Sequence, residues 1–443
     1  LLGLFLVTES WDITINTLAR TSFEGMRGYI FAALPLFMLM GEFISRSGAA
    51  QDLYIGINRA LRSIPGRLAL ATVLGNAVFA FLTGVSIAAA AAFTRIAYPQ
   101  MKAFKYDPGL SLGVIAGSSC LGMLIPPSNL MILWAILVEE SIGHLFLAGI
   151  VPGLMLTGLF VIYILISAHL RPELYGEAPR GKGAPEATPA QSVGAAAVGA
   201  AAVGAAEDGS ARAEFEEYEK TIKPIDILIS SLCVVGMIIC VLGGIWFGVF
   251  TPTEAAGVGA ILALTFSVTI KGLRSKDIID GILQVGRTLA PLMVLILMAL
   301  LYSRALALTG IGGAIEEYFT ANQFPPWVVL LFMIFVWFLL GMIIDSKSIM
   351  LITVPVFAPL GVLIGYDPIS FAIIGIMAIE AGLLTPPFGL IVYTVKSAAN
   401  DKDMTAMSIF GASTPYWIML LIVVTLVAIW PNLAIGLSKF VMG

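Results

Sequence analysis

Apolar residues in this chain come in long unbroken runs, and polar residues are confined to short intervals between them. Val151 to Ala168, Ile225 to Phe250, Thr288 to Leu301, Trp327 to Ile344 and Tyr416 to Trp430 are the clearest runs. They predict membrane helices, because about 20 residues of helix cross a bilayer core. A second pattern occupies Gln51 to Ile64, where Leu53, Tyr54, Ile57, Leu61 and Ile64 share one helical face and Asp52, Arg59 and Arg62 lie elsewhere. It predicts an amphipathic helix along the membrane surface, either a lever to a moving part or a passive connector. A third pattern is an apolar stretch interrupted in its middle. Leu68 to Tyr98 breaks at Thr83-Gly84-Val85-Ser86, and Pro326 to Ile364 breaks at Asp345-Ser346-Lys347-Ser348. These predict re-entrant helical hairpins over 68–98 and 326–364, with tips inside the membrane where protein or water must satisfy the freed backbone groups.

The two interrupted stretches are related. Ser86, Pro99, Tyr106-Asp107-Pro108, Gly122 and Pro126-Pro127 recur as Ser346, Pro359, Tyr366-Asp367-Pro368, Gly382 and Pro386-Pro387, at a constant offset of 260 residues. The chain is therefore read as two copies of one unit, over 1–170 and 225–443. Residues 171–224 between them hold a Gly/Ala/Val-rich run, Val193 to Ala206, and read as an exposed low-complexity linker. Lys and Arg placement sets the orientation, since cytoplasmic loops carry the excess. Arg46, Arg59, Arg62, Arg67, Lys102 and Lys105 flank the first hairpin, whereas Glu316, Glu317 and Asp367 flank the second without a Lys or Arg. The copies are thus expected to be inverted, with the linker cytoplasmic and the C-terminus on the far side.

Composition narrows the class. With 59% hydrophobic and 12% charged residues, and a mean hydropathy of +0.97, the chain has too little polar surface to cover a soluble globule. The fold class expected is an all-α polytopic membrane protein with two inverted-topology repeats, each holding a re-entrant hairpin and a broken transmembrane helix. The formal charge of −4 is spread over loops, and no basic stripe is present to bind nucleic acid. Cys120, Cys233 and Cys240 lack metal-ligand spacing and, with only His144 and His169 present, no zinc site or histidine triad is expected. Gly176 to Lys182 approaches a nucleotide-binding loop, but Gly183 stands where Ser or Thr is needed, so no nucleotide is expected. The chain opens at Leu1 in the middle of an apolar run, which predicts a segment before it.

Candidate chemistry lies where helices must break. Consecutive prolines cannot sit inside a continuous helix, so Pro126-Pro127 and Pro386-Pro387 predict broken membrane helices over 108–139 and 368–399. Unpaired carbonyls at such breaks, with nearby Ser, Thr and Asp oxygens, suit a small cation such as sodium, and helix N-termini facing the gap suit an anion. Interrupted segments at matching places in two halves point to a transport site. Asp345, Lys347 and Glu380 add weight, because ionisable groups at membrane depth are costly, although Lys347 could be a counter-ion only. Glu42, Arg95 and Arg304 fall near expected helix ends and are read as reaching to the membrane interface.

Leu36-Phe37-Met38-Leu39-Met40-Gly41-Glu42, Leu124-Ile125-Pro126-Pro127-Ser128, Leu145-Phe146-Leu147-Ala148-Gly149-Ile150-Val151-Pro152-Gly153 and Gly382-Leu383-Leu384-Thr385-Pro386-Pro387-Phe388-Gly389 resemble the large membrane subunit of tripartite ATP-independent periplasmic (TRAP) transporters. The likeness spans nearly the whole chain except the linker. It implies a multi-pass protein of the inner (cytoplasmic) membrane of a bacterium or archaeon. It also implies sodium-coupled uptake of an organic acid such as a dicarboxylate, a periplasmic binding protein that delivers it, a small membrane subunit alongside, and elevator-type movement. Carried over by position, one sodium site falls between Thr83, Gly84, Ser86 and Ser118, Ser119. A second falls between Asp345, Ser346 and Glu380, Gly382, Thr385. The chain departs from the family at the first tip, where Thr83-Gly84-Val85-Ser86 is followed only by alanines and no nearby acidic residue.

The function expected is a secondary transporter in which bound sodium completes an anion site between the copies. Ser128 and Asn129 are the expected substrate contacts, with Lys347 as a further one. A stand-alone sodium–dicarboxylate symporter without a binding protein is the alternative. An intramembrane enzyme would need a catalytic pair, and the buried candidates, Asp345 and Glu380, sit in cation-ligand surroundings instead.

Overall fold

The computed structural model describes residues 3, 5–6, 9–176 and 224–442, and among them the chain is built of helices. The first part runs α1 (Trp11–Arg27), α2 (Ala33–Arg46), α3 (Ala49–Ala60), α4 (Arg67–Thr83), α5 (Ser86–Ala103), α6 (Pro108–Ser119), α7 (Asn129–Val138) and α8 (Ile142–Leu170). The second runs α9 (Pro224–Ile238), α10 (Pro252–Thr269), α11 (Ser275–Thr309), α12 (Ile311–Ala321), α13 (Pro326–Gly341), α14 (Ser346–Leu363), α15 (Pro368–Gly382), α16 (Leu390–Ala399), α17 (Ala406–Ile429) and α18 (Asn432–Met442). Among the described residues, eight helical stretches are long and apolar enough to cross a membrane. The protein is an all-α polytopic membrane protein.

The boundaries follow local chemistry. Asp107 caps α6 by accepting from the Leu110 amide at 2.7 Å, and Asp367 caps α15 by accepting from Ile369 and Ser370 at 3.0 and 3.1 Å. The following Pro108 and Pro368 occupy the first helical turn, where a missing amide costs nothing, which accounts for the repeated Tyr-Asp-Pro. The hairpins pair α4 with α5 and α13 with α14. At 17 and 16 residues, α4 and α13 are shorter than a full crossing needs. The run Trp327 to Ile344 is thus a hairpin arm. α5 and α14 begin at Ser86 and Ser346, and α6 and α15 at Pro108 and Pro368, so these helices keep the 260-residue offset.

Two expectations change. The amphipathic segment is α3, and it ends at Ala60; Ile64 is exposed, and Asp52 of the polar side turns to protein. Asp52 forms an ion pair with Lys271, after α10, and accepts from Ser230 Oγ of α9 at 2.6 Å. On its other face Tyr54 meets Phe93 of α5 with ring centroids 6.3 Å apart. The helix therefore bridges the first hairpin and the α9–α10 pair. The linker also starts later than residue 171, because Arg171 to Gly176 fold back on the first hairpin. Tyr175 is buried against Tyr106, and a Cβ on Gly66 would lie 3.3 Å from its ring. The low-complexity run and the loop resembling a nucleotide site, beyond Gly176, lie outside the described residues.

Contacts between distant segments tie the ends of the helices together. Lys102, at the base of the first hairpin, pairs with Asp401 beyond α16 at 2.8 Å, and Tyr98 donates to the same carboxylate at 2.7 Å. His144, at the start of α8, shares a 2.8 Å hydrogen bond with Ser438 of α18. Arg304 of α11 pairs with Glu24 of α1, and Glu42 with Arg46 one turn along α2 at 2.6 Å.

Candidate functional site

Each hairpin tip is fastened to the break that follows it. Gly84 closes α4 in the left-handed region at φ 59°, and its carbonyl accepts from the Asn129 amide at 3.2 Å. No other residue fits, since a Cβ there would lie 2.4 Å from the Pro127 carbonyl oxygen. In the second copy the Met342 carbonyl accepts from the Phe388 amide, also at 3.2 Å. Each break glycine then allows close approach. A Cβ on Gly122 would stand 3.1 Å from the Ser86 amide nitrogen, and one on Gly382 would stand 2.4 Å from the Phe338 carbonyl. Pro126-Pro127 and Pro386-Pro387 are both joined by cis peptide bonds. The first helix resumes at Ser128, whose hydroxyl caps α7 and donates to the Met123 carbonyl at 2.6 Å.

The polar side chains divide into those already partnered and those left open. Around the first tip, Thr83 donates to the Phe79 carbonyl at 3.2 Å, Ser118 to Val114 at 2.7 Å and Ser119 to Ala116 at 2.7 Å, so these hydroxyl protons are spent within their own helices. Asn76, which the sequence reading missed, donates to Ser118 Oγ at 2.7 Å from the middle of α4. Its Oδ1, Ser86 Oγ and Asn129 Nδ2 are buried with no hydrogen-bond partner. A lone amide in an otherwise apolar hairpin arm was the available signal for Asn76.

The second copy centres on Glu380. It is 1% exposed; one carboxyl oxygen accepts from Ser346 Oγ at 2.9 Å, and the other has no hydrogen-bond partner. Ser86, from the opposite hairpin tip, lies against the same carboxyl without hydrogen-bond geometry. Cys120, the residue equivalent to Glu380 in the first copy, has its sulfur 4.0 Å from the Glu380 carbonyl oxygen. Ser86 of the first expected set and Ser346 of the second thus lie at one carboxyl. Thr385 donates to the Gly382 carbonyl at 2.7 Å within the break.

Asp345 is not part of that meeting. Its carboxylate accepts from the Lys347 and Ser348 amides at 3.1 and 3.2 Å and from Ser348 Oγ, capping its own helix α14. Lys347 makes no ion pair within 4.0 Å among the described residues, and its side chain is half-buried beside Asp345. Of the expected substrate contacts, Ser128 is committed as a cap, while the Asn129 amide group stays open.

A buried carboxyl with an open oxygen, two serine hydroxyls and helix-break carbonyls form a set of hard oxygen ligands, which fits a small cation. The seams beside it differ. Trp134 of α7 is buried against Trp337 and Phe371 of the second copy, with ring centroids 6.0 and 6.1 Å apart. Between α5 and α16, by contrast, lies an open depression of about 710 Å³. Arg95, an exposed side chain of α5, lines that depression.

The family model of the tripartite ATP-independent periplasmic transporter, DctM component, matches residues 1–433. The C4-dicarboxylate TRAP transporter large permease protein of Pseudomonas aeruginosa is 30% identical over 428 residues, covering 96% of this chain and 90% of that protein. The sialic acid TRAP transporter large permease protein of Vibrio cholerae is 25% identical over 443 residues, covering 100% and 93%. Among solved structures, the YdaH transporter of Alcanivorax borkumensis has a similar fold, with a TM-score of 0.60, 15% identity and coverage of 96% of this chain and 90% of that one.

Proposed function

This chain belongs to the DctM-component family of tripartite ATP-independent periplasmic transporters, and from that premise we propose that it takes up a small organic acid by sodium-coupled alternating access. The acid is delivered by a periplasmic binding protein, and a small membrane subunit works alongside in the inner membrane. The dicarboxylate and the sialic acid in the relatives' names are both carboxylic acids, which supports that substrate class.

The observation that carries the reading is Glu380, a buried carboxyl that accepts from Ser346 through one oxygen, keeps the other open and has Ser86 beside it. An ionised carboxylate there needs a positive partner, and a sodium ion held by this carboxyl, the serines and the break carbonyls supplies it. Gly84, Gly122 and Gly382 let backbone approach the same region, and Asn129 offers a free amide for the substrate.

Inverted copies are supported by the Lys102–Asp401 pair. A broken helix that crosses the membrane ends on the side opposite its own hairpin base. The end of α16 meets the base of the first hairpin, so the two hairpins open to opposite sides. Lys102 and Lys105 place that side in the cytoplasm, with the linker. With that orientation, the His144–Ser438 bond supports a periplasmic α18 and C-terminus. Elevator-type movement is supported by the tip-to-break hydrogen bonds, which make each hairpin and its broken helix one body. Gly41 of α2 offers a smooth face to that body, since a Cβ there would lie 2.6 Å from the Leu82 carbonyl. The sealed Trp134 seam and the open Arg95 seam fit a state facing the cytoplasm.

Uptake into proteoliposomes holding the chain with its small subunit, with and without a sodium gradient and a binding protein, tests the reading. Both should be required. Robust uptake of free acid without a binding protein would establish the stand-alone symporter instead, and uptake indifferent to sodium would refute the coupling.

A further inference from the structure

Helix α3 is held differently on its two faces. Toward α9 and α10 it is fastened. Asp52 pairs with Lys271 and accepts from Ser230 Oγ at 2.6 Å, and a Cβ on Gly56 would lie 2.7 Å from Ile227 Cγ2, so α3 and α9 pack closely there. Toward the first hairpin it turns Tyr54, and Asn58 follows one turn later on the same helical face; both are fully buried. The Tyr54 ring meets Phe93 and lies 3.8 Å from where a Cβ on Gly75 would stand. Yet the Tyr54 hydroxyl and both polar atoms of the Asn58 amide have no hydrogen-bond partner. Thr72, beside the Tyr54 hydroxyl, gives its own proton to the Leu68 carbonyl at 2.8 Å.

The repeat does not call for these groups. At the 260-residue offset α3 corresponds to α12, where Ala314 and Tyr318 take the two places and are exposed. Buried polar atoms without protein partners are ordinarily met by water, and one water can join three of them. A water-bridged contact can renew its hydrogen bonds as its walls shift, whereas interlocked side chains must first unpack. We propose that Tyr54 and Asn58 hold water between α3 and the first hairpin, and that the hairpin slides along this face during transport while α3 stays fixed to α9 and α10. This rests on the uptake reading above and adds the plane of movement to it. The amphipathic helix is then a rail along which the hairpin moves.

The test uses the full-length chain with its small subunit in proteoliposomes, in a Cys233→Ala, Cys240→Ala background, with binding protein and a sodium gradient. Two cysteine pairs are bridged by a short bifunctional thiosulfonate, and each is compared with itself before bridging and after reduction. Tyr54→Cys with Gly75→Cys spans the sliding face, and Gly56→Cys with Ile227→Cys spans the fastened one. The first bridge should cut acid uptake about tenfold or more, reversibly, and the second should leave more than half of it. Full uptake with the first bridge, or loss of uptake with the second, would overturn the proposal. If a pair does not fold, Asn58→Leu decides: it should lower the maximal uptake rate about fivefold at an unchanged KM, and an unchanged rate would count against the sliding face.

The water is read without transport. Brief X-ray radiolysis oxidises side chains next to bound water, and it should label Tyr54 in the wild type and about threefold less in Asn58→Leu. An unlabelled Tyr54 in the wild type would sink the proposal. Should the wild type take up no acid, the uptake reading fails, and bridging yields still test the face. Sodium should change the yield of the first bridge about twofold and leave the second constant, and equal responses would overturn the sliding face. Normal wild-type uptake that the first bridge does not slow would count against the sliding face alone.

Discussion

The two hairpin–break junctions share a backbone and divide the chemistry. Both tips give a carbonyl to an amide beyond a Pro-Pro pair, and both breaks place a glycine against a hairpin. Their polar groups are complementary. The first copy carries Asn76 in its hairpin arm where the second has Val336, and the second carries Glu380 in its break where the first has Cys120. Main-chain geometry thus keeps the repeat recognisable while single side chains differentiate it. The seams follow the same rule, one closed by Trp134 and its aromatic neighbours and the other open around Arg95.

The largest effect that could break this comparison comes from the centre. Glu380→Gln keeps the side-chain shape but removes the negative charge, and sodium-driven uptake should fall about a hundredfold, as ion affinity follows ligand charge. Near-normal uptake in that variant would remove Glu380 from the ion site. Next come the seams. Trp134→Ala should destabilise the protein by about 3–5 kcal/mol, as for a large buried aromatic, whereas Tyr393→Ala, exposed in the open seam, should change stability by about 0.5 kcal/mol or less. Thermal unfolding of the two variants side by side measures the contrast, and equal losses would erase it.

A smaller effect is expected from Asn76→Val, which gives the first copy the residue of the second. It should raise the sodium concentration for half-maximal uptake about tenfold, with a stability loss of about 1–2 kcal/mol from the lost bond to Ser118. An unchanged sodium dependence would leave Asn76 a packing residue. The smallest effect concerns Asp401, whose carboxyl is held below its ordinary range by hydrogen bonds from Lys102 and Tyr98. Because the folded pKa is lowered, the stabilisation is fully present above the unfolded value of about 3.9 and is lost as pH falls through the folded one. Asp401→Asn should cost about 0.2–1 kcal/mol, as for a pair whose lysine is exposed, and the stability difference from the wild type should stay constant between about pH 5 and 8. A wild-type transition in that window that vanishes in the variant would show a latch that titrates.

Much of the fold is legible because prolines and glycines act locally. The hairpins expected over 68–98 and 326–364 are Arg67–Ala103 and Pro326–Leu363, and the broken helices restart where the double prolines require. The candidate site was legible only in part. Ser-Lys-Ser after Asp345 is also the pattern of a capped helix start, and that local use claims the carboxylate. The convergence of Ser86, Ser346 and Glu380 depends on how two remote copies meet, which no spacing along the chain encodes. Asn76 was marked only as a lone amide in an apolar arm, and the partners of Asp52 in α3, Ser230 and Lys271, lie too far along the sequence for spacing to reveal them.

The Lys102–Asp401 pair joins residues 299 positions apart. A chain made from its N-terminus completes the first copy long before residue 401 exists. During that interval Lys102 lacks its acid, Ser86 lacks the carboxyl it will face, and the first hairpin rests on contacts made within its own copy, such as those from Asn129 to Gly84 and Asn76 to Ser118. Until the second copy is made, the first has only these internal contacts to hold its hairpin to its break. The groups around Glu380 can come together only once both copies are made, since Ser86 and Glu380 stand in different ones.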